Sequence, residues 1–439
     1  MLTHLQLTNF KIWRTTGPIR LAPLTLLLGT NSSGKSSLIQ SLLLIRQTAK
    51  GDDPNLDLNL GNPDNGDSVT LGQFKDVLCR HGASTPSNPA NQVGIEFRWS
   101  ADGDLSQSTL FSARYREGTG GGAELDYLRL GSDGQGFIVE RRKPGIYRLQ
   151  FAEQRDSVGQ SADYRPQKSF SLSKSAISRL GEHGVHLARI GPMLLEELNR
   201  IIYVGPVRKA AQRHYIWSGS MPERIDDDGG NAIDALIAGY WATRRADERG
   251  EPMPPEADLF KQTEYWLQQL GLADGLEIQQ RRGPTRYELL LRNFGELSNV
   301  KDVGVGVSRV LPVIVAALFA RPGNIVIVEE PESHLHPLAQ AELGNLFVDV
   351  SKKRNVQFIV ETHSEYLFRR TQTLIAREEA SATDAAMYFV EREGKDAKLI
   401  SLEVDEFGRV KWPDGFFGNA LGETREQARL MFERLKGGE

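Results

Sequence analysis

Three short segments of this sequence carry side chains equipped for chemistry. Gly29-Thr30-Asn31-Ser32-Ser33-Gly34-Lys35-Ser36 satisfies the spacing G-x-x-x-x-G-K-[ST], and Ser37 follows it. Glycines at that spacing let backbone N–H groups wrap phosphates, and the N-terminus of a following helix adds positive potential. Lys35 is expected on the β- and γ-phosphates of a nucleoside triphosphate, and the Ser36 hydroxyl on Mg²⁺. The second segment is the apolar run Ile325-Val326-Ile327-Val328, which ends in Glu329 and Glu330. A buried strand tolerates an acid at its end where a cation compensates the charge. Glu329 is therefore assigned to the metal, through water, and Glu330 to polarising the attacking water. The third is Val356-Gln357-Phe358-Ile359-Val360, followed by Glu361-Thr362-His363-Ser364. His363 at that strand end is placed to donate a hydrogen bond to a γ-phosphate; a histidine met alone is more often structural. His334 and His336 suggest zinc at first sight, but no third ligand stands at useful spacing and no cysteine is near.

These segments need a scaffold of strands and helices in alternation. Residues 2–10 and 17–28 read as strands, the second ending in the apolar run Leu24-Thr25-Leu26-Leu27-Leu28, and Ser37–Ile45 reads as a helix with a broad apolar face. Residues 50–68 are rich in Gly, Asn, Asp and Pro and read as a loop. From 92 to 172, short alternating segments between Gly and Asp turns predict an antiparallel β lobe. Residues 173–200, 232–245 and 257–270 read as helical, with a strand at 200–206. A strand at 325–328, a helix from about 337, a strand at 356–360 and a helix from about 364 complete an α/β rhythm. The resulting division is 1–91, the N-terminal part of a head with the glycine-rich loop; 92–172, the β lobe; 173–295, an inserted helical region; and 296–439, the C-terminal part of the head. No heptad array predicts a long coiled-coil arm.

Composition sets the class. The 439 residues exceed one ordinary domain, 39% are hydrophobic, and the formal net charge is −4, so no global basic field advertises nucleic acid. The single cysteine, Cys79, permits neither an internal disulfide nor a cysteine metal cluster, as expected for a reducing cytoplasm. The N-terminus lacks the apolar core of a signal peptide, and no stretch approaches the roughly 18 apolar residues of a membrane span. A soluble, cytoplasmic protein without membrane contact is expected.

The motifs NSSGKSS, VGVGVSRVLP, IVIVEEPESHLHP and ETHS together resemble the ABC ATPases of the RecF, SMC and overcoming-lysogenization-defect group. Within that group the chain resembles the compact bacterial AAA-type ATPases. Tyr203-Val204-Gly205-Pro206-Val207-Arg208 and Lys411-Trp412-Pro413-Asp414-Gly415-Phe416-Phe417 extend the resemblance through the chain. It implies an α/β ABC-ATPase head, a P-loop NTPase with an antiparallel β lobe and an inserted helical region. It implies ATP and Mg²⁺ as ligands, and a homodimer or higher oligomer in which two heads sandwich two ATP molecules. A signature segment from one head would complete the other's site. Here that segment is Gly304-Val305-Gly306-Val307-Ser308-Arg309, with Gly306 and Ser308 at the γ-phosphate and Pro312 in the first turn of the helix beyond. Ser333–His336 takes the place of the dimer-contacting D-loop. Gln73 is the expected Q-loop residue at nucleotide and metal, while Gln40 is expected to be packed or on the polar surface.

The resemblance extends to the ATPase subunits of Septu-type anti-phage systems. It implies a dimerising sensor or clamp that controls a separate effector, a nuclease, since the residues after 370 leave no room for a nuclease domain. The alternative is a stand-alone RecF-like repair or replication ATPase that binds DNA. Arg208, Lys209 and Arg213, with Arg281, Arg282 and Arg286, are its candidate phosphate contacts. A transporter subunit is disfavoured by the long β insertion and the HLHP element, and a module that binds ATP without turnover is disfavoured by Glu330.

Overall fold

Two kinds of strand alternate along this chain, and the difference is written in where their apolar residues fall. The computed structural model describes residues 1–81, 89–100, 108–132, 135–151, 161–162, 167–168, 170–179, 182–250, 252, 255–281, 285–412 and 429. The first strand, β1 (Leu2–Phe10), alternates buried and half-buried residues, as a strand with one face on a core must. β2 (Trp13–Thr15) and β3 (Ile19–Arg20) are short. β4 (Leu24–Gly29) is different in kind, because Leu24 to Leu28 are all buried and both its faces are covered.

Helices α1 (Lys35–Lys50) and α2 (Phe74–Val77) follow. The antiparallel strands are β5 (Gln92–Trp99), β6 (Thr109–Glu117), β7 (Ala123–Ser132), β8 (Gln135–Lys143), β9 (Ile146–Phe151) and β10 (Ser161–Ala162). Helices α3 (Lys174–Arg179), α4 (Glu182–Leu187) and α5 (Ile190–Asn199) lead into β11 (Ile201–Val204). Next come β12 (Tyr215–Ile216), α6 (Ala232–Arg249), α7 (Pro255–Gln269), β13 (Gly275–Gln280), β14 (Arg286–Asn293) and β15 (Glu296–Asn299). The last stretch runs α8 (Val305–Phe319), β16 (Ile325–Glu329), α9 (Pro337–Arg354), β17 (Gln357–Glu361), α10 (Glu365–Ala376), β18 (Ala385–Glu393) and β19 (Asp396–Ser401).

The central sheet has the order β11-β16-β17-β4-β18-β19, parallel except for β19. An antiparallel sheet runs β10-β9-β8-β7-β6-β5-β1-β2, with β3 also on β1. A smaller antiparallel sheet joins β12, β14, β13 and β15. Helix α1 lies between the two large sheets. One core gathers α1, the inner face of the antiparallel sheet, and Ile325, Ile327 and Ile359 of the central sheet. The alternate residues Val326, Val328 and Val360 face a second core built with α6 to α10. Neighbouring residues of one strand thus serve different cores, which is why β16 and β17 read as unbroken apolar runs.

The fold differs from the sequence reading in three places. The strand expected at 17–28 is two, β3 and β4, and Pro23, which cannot donate to a ladder, stands just before β4. The region 173–295 holds more than helices and the strand expected at 200–206, which is β11: β12 to β14 form an antiparallel sheet together with β15. Pro312 is not in the first turn of its helix. Helix α8 already begins at Val305, so Pro312 lies in its interior and leaves the Ser308 carbonyl without its usual donor. Gly229 makes room for that ring: at its φ of +69° a Cβ would stand 2.4 Å from the proline Cβ. Residues 413–417 of the tail motif lie outside the described residues, while Trp412 packs on Phe368. Among the described residues no helix is long and apolar enough to cross a membrane.

Candidate functional site

Strand order decides which side chains meet. β17 lies between β16 and β4, with Glu361 opposite Glu329 on one side and Leu27 on the other. With about 4.8 Å between strands, Glu361 stands one strand from the strand that feeds the glycine-rich loop, and Glu329 stands two. At the end of β4, Gly29 has φ +152°, and a Cβ there would lie 2.1 Å from the Val390 carbonyl oxygen of β18, so only glycine fits. Ser32 (φ 58°) and Gly34 (φ 109°) also adopt left-handed backbone. Gly34 caps α1 and its carbonyl accepts from the Trp13 indole N–H at 3.1 Å. The chain therefore wraps a cradle in front of the N-terminus of α1, where free backbone N–H groups favour an anion.

Lys35 is buried, and its Nζ donates to the carbonyls of Gly29 (3.0 Å) and Thr30 (2.9 Å), with Glu361 Oε1 3.9 Å away. Burial lowers its pKa, and the surrounding acids, Glu361 foremost, pull the other way. The Ser36 hydroxyl donates to Glu361 Oε1 at 2.9 Å. Burial, and after it the charge of Glu329, pushes the Glu361 carboxyl up to about 8. Glu329 is itself raised by burial and accepts from the Tyr203 hydroxyl at 2.6 Å. Glu330 sits at φ 46°, and its Oε2 accepts from the Ser333 hydroxyl at 3.1 Å. Glu332, also raised by burial, accepts the His363 backbone N–H at 2.6 Å and so fixes the turn that carries the imidazole. Burial and then the Lys35 charge lower the His363 pKa, leaving a neutral ring at pH 7.

These groups surround one cleft of about 840 Å³, within the usual range for small-ligand sites. Asn31, Ser32, Ser33, Gly34, Lys35, Ser36, Ser37, Glu330 and His363 all line it. Gly29 shapes the loop behind that lining. Glu329 does not line the cleft, because its carboxyl turns to Tyr203, and the acid that meets Ser36 is Glu361. The third acid beside His363 was its signal in the sequence. Gln73 is also outside the cleft. It stands at the N-cap of α2, where its backbone N–H donates to the Asp76 carboxylate at 3.0 Å. Gln40, expected to be packed or on the surface, lines the cleft instead and accepts from Lys11 Nζ at 2.6 Å. Arg80, Arg392 and Lys395 add positive charge at its rim.

Gly306 and Ser308 lie in the first turn of α8, away from this chain's own cleft. A Cβ on Gly306 would meet the His334 carbonyl at 2.6 Å, so that turn packs against the segment Ser333–His336. His336 caps α9, its ring nitrogen accepting from the Leu338 backbone N–H.

The basic residues proposed as nucleic-acid contacts do not form one face. Arg208 is buried, Arg213 pairs with Asp302 and Arg281 with Glu288. Lys209 and Arg286 line a separate cavity beside Ser308, and Arg282 lies outside the described residues.

The cleft suits a hard cation such as Mg²⁺. Oxygen donors converge there from Ser36 and Glu361, and the buried Oε2 of Glu361 has no hydrogen-bond partner among the described residues. The buried Ser33 hydroxyl in the loop is likewise unpartnered.

Residues 146–369 match the family described as "AAA domain, putative AbiEii toxin, Type IV TA system", a span that holds Gly306, Glu330 and His363 and begins after the glycine-rich loop. Residues 381–427 match a family described as a protein of unknown function, DUF3696. No curated protein matches the chain. Among solved structures it is similar to the SMC head domain from Thermotoga maritima, at 13% identity and TM-score 0.42, covering 92% of this chain and 99% of that one. It is similar to an Smc head bound to the C-winged helix domain of ScpA, at 12% and 0.45, covering 92% and 98%. It is also similar to the Smc head domain with an extended coiled coil from Pyrococcus furiosus, bound to the C-terminal domain of ScpA, at 13% and 0.44, covering 99% of each chain.

Proposed function

The chain belongs to this AAA-domain family of P-loop ATPases, and on that premise we propose that it binds ATP with Mg²⁺ in the cleft and hydrolyses it between two heads. One observation carries the reading: the Gly29–Ser36 loop, Glu330 and the Glu361–His363 turn, far apart in sequence, line a single cleft. On ATP binding, Lys35 leaves the Gly29 and Thr30 carbonyls for the β- and γ-phosphates, and the Ser36 hydroxyl, now bonded to Glu361, would help to hold Mg²⁺. Mg²⁺, when bound, neutralises charge on the β- and γ-phosphate oxygens. Glu361 and, behind it, Glu329 supply the negative charge that favours the cation. Glu330 takes hydrogen-bonding charge of the water that attacks the γ-phosphorus, in line with the bridging oxygen that leaves with ADP. The neutral His363 ring donates to a γ-phosphate oxygen. Gln40 takes the position that Gln73 does not reach.

Gly306 and Ser308 of a second copy complete the γ-phosphate shell, so that closure of a homodimer and hydrolysis are linked. That closure serves as a sensor or clamp that controls a separate effector, a nuclease, in anti-phage defence. The resemblance to ATPase subunits of Septu-type systems supports this.

Glu330→Gln tests the scheme. It is expected to slow phosphate release by about 10²–10⁴-fold, leaving a measurable residual rate, while retaining ATP and stabilising the dimer, measured by light scattering with and without ATP. An Glu330→Gln chain that stays monomeric with ATP bound counts against it.

A further inference from the structure

Arg208 has no place in the scheme above. It follows β11, its side chain is only 3% exposed, and burial lowers its pKa to about 10 against the pull of Glu332, Glu330 and Glu329. Its Nη2 donates to the carbonyl oxygens of Glu329 and Glu330, the latter at 3.2 Å. Its Nη1 donates to the Arg309 carbonyl at 3.3 Å, and the Arg309 guanidinium returns a hydrogen bond to the Arg208 carbonyl at 2.8 Å. One fork thus ties the end of β16 to α8, the helix whose first turn carries Gly306 and Ser308.

The tied end is strained. Glu330 holds a left-handed backbone at φ 46°, which a residue with a Cβ adopts only under constraint. A guanidinium bonded to the carbonyls on both sides of that residue's N–Cα bond supplies the constraint. Released, the turn relaxes toward ordinary backbone and carries the carboxylate away from the cleft. A lysine ammonium is a point donor and cannot reach two carbonyls of β16 and one of α8 in a single plane.

We infer that Arg208 is a positioning residue: it holds Glu330 in its left-handed conformation and couples that conformation to the seat of α8, so that α8 movement on head closure is felt at the water-polarising carboxylate. This rests on the ATPase reading above.

The test compares the full-length wild type, Arg208→Lys, Glu330→Gln and the double variant. ATP affinity is measured with a fluorescent ATP analogue, turnover as phosphate release at saturating ATP, and folding by thermal melting. Arg208→Lys is expected to lower turnover about 100-fold, the scale of a misplaced catalytic group, while ATP affinity stays within about twofold. In the Glu330→Gln background the same substitution is expected to add no further loss, because both act through one carboxylate. A loss that repeats in that background overturns the inference, as do a loss confined to affinity, an unchanged turnover, and an Arg208→Lys chain that does not fold. A wild type that binds ATP without hydrolysing it removes the ATPase reading instead. The inference is then decided by a crystal structure of Arg208→Lys: Glu330 still at positive φ and still bonded to Ser333 overturns it, and a relaxed Glu330 upholds it.

Discussion

Glu361→Gln isolates a single proton. Without nucleotide, the Glu361 carboxyl is 4% exposed beside Glu329, and its pKa is pushed up from an ordinary 4.5 to about 8, by burial first and by Glu329 second. The unfolded chain releases that proton near 4.5 and the folded chain near 8. Between those values the folded state holds the extra proton. The stability it contributes is whole below the unfolded value and is lost as pH rises through the folded one. The gap sets a ceiling of about 5 kcal/mol, at about 1.4 kcal/mol per pH unit. The neighbouring Glu329 shares the proton, so the pair contributes this once and not twice. Unfolding entropy of about 2.1 cal/mol/K per residue over a chain of this length turns about 4 kcal/mol, the part that falls between pH 5 and 8.5, into about 4 °C of Tm. The glutamine variant keeps the shape and accepts from Ser36, but it cannot titrate. Calorimetric melting without nucleotide or Mg²⁺ is therefore expected to show the wild type losing about 4 °C more than the variant over that pH range. Parallel Tm curves for the two proteins would refute the argument that Glu361 is held neutral in the empty cleft.

Lys35→Ala is expected to abolish binding of a fluorescent ATP analogue and to lower the melting temperature, since it removes the bonds to the Gly29 and Thr30 carbonyls and the buried cation 3.9 Å from Glu361. Tyr203→Phe leaves the buried Glu329 carboxyl without its hydroxyl partner and is expected to cost about 1–3 kcal/mol, read as a lower urea midpoint. Gly29→Ala brings a Cβ to within 2.1 Å of the Val390 carbonyl at a φ of +152°, so it is expected to destabilise by about 3 kcal/mol or more and to lose nucleotide binding with it, by melting and titration. Binding of ATP with Mg²⁺ in a weakly buffered solution at pH 7 is expected to release more protons from the wild type than from Glu361→Gln.

The features legible in the sequence are those made by contiguous residues. The Gly29–Ser36 loop is eight consecutive positions whose glycines meet a local backbone demand, and the apolar runs of β4, β16 and β17 report burial on two faces at once. The α/β character followed from those runs. What stayed hidden depends on which strand lies beside which. Nothing in Ile325–Glu330 or Gln357–Glu361 says that β17 inserts between β16 and β4, so the sequence assigns the metal to Glu329, whereas strand order sets Glu361 nearer the loop and against Ser36. Gln40 and Gln73 differ only in the direction of a helix face and the seat of a cap. Proline favours first turns, but α8 begins at Val305, seven residues before Pro312, and Gly306 of that first turn packs on His334, a tertiary contact with no local trace.

The same strand order explains why this cleft is built around an excess of acid. Glu329, Glu330, Glu332 and Glu361 crowd one end of the sheet, and Lys35 and Arg208 are buried cations among them. Such a cluster is tolerable only if some of its charge is withheld, which is what the raised carboxyls of Glu329, Glu332 and Glu361 accomplish. Tyr203, Ser36 and the His363 backbone N–H each satisfy one of these acids meanwhile. A divalent cation arriving with a triphosphate reverses the balance, because ionised carboxyls then face positive charge instead of one another. The arrangement that makes the head most stable when protonated is therefore the one that makes it most receptive when deprotonated, and the switch between the two sits at Glu361 on β17, the strand between β16 and the strand that feeds the loop.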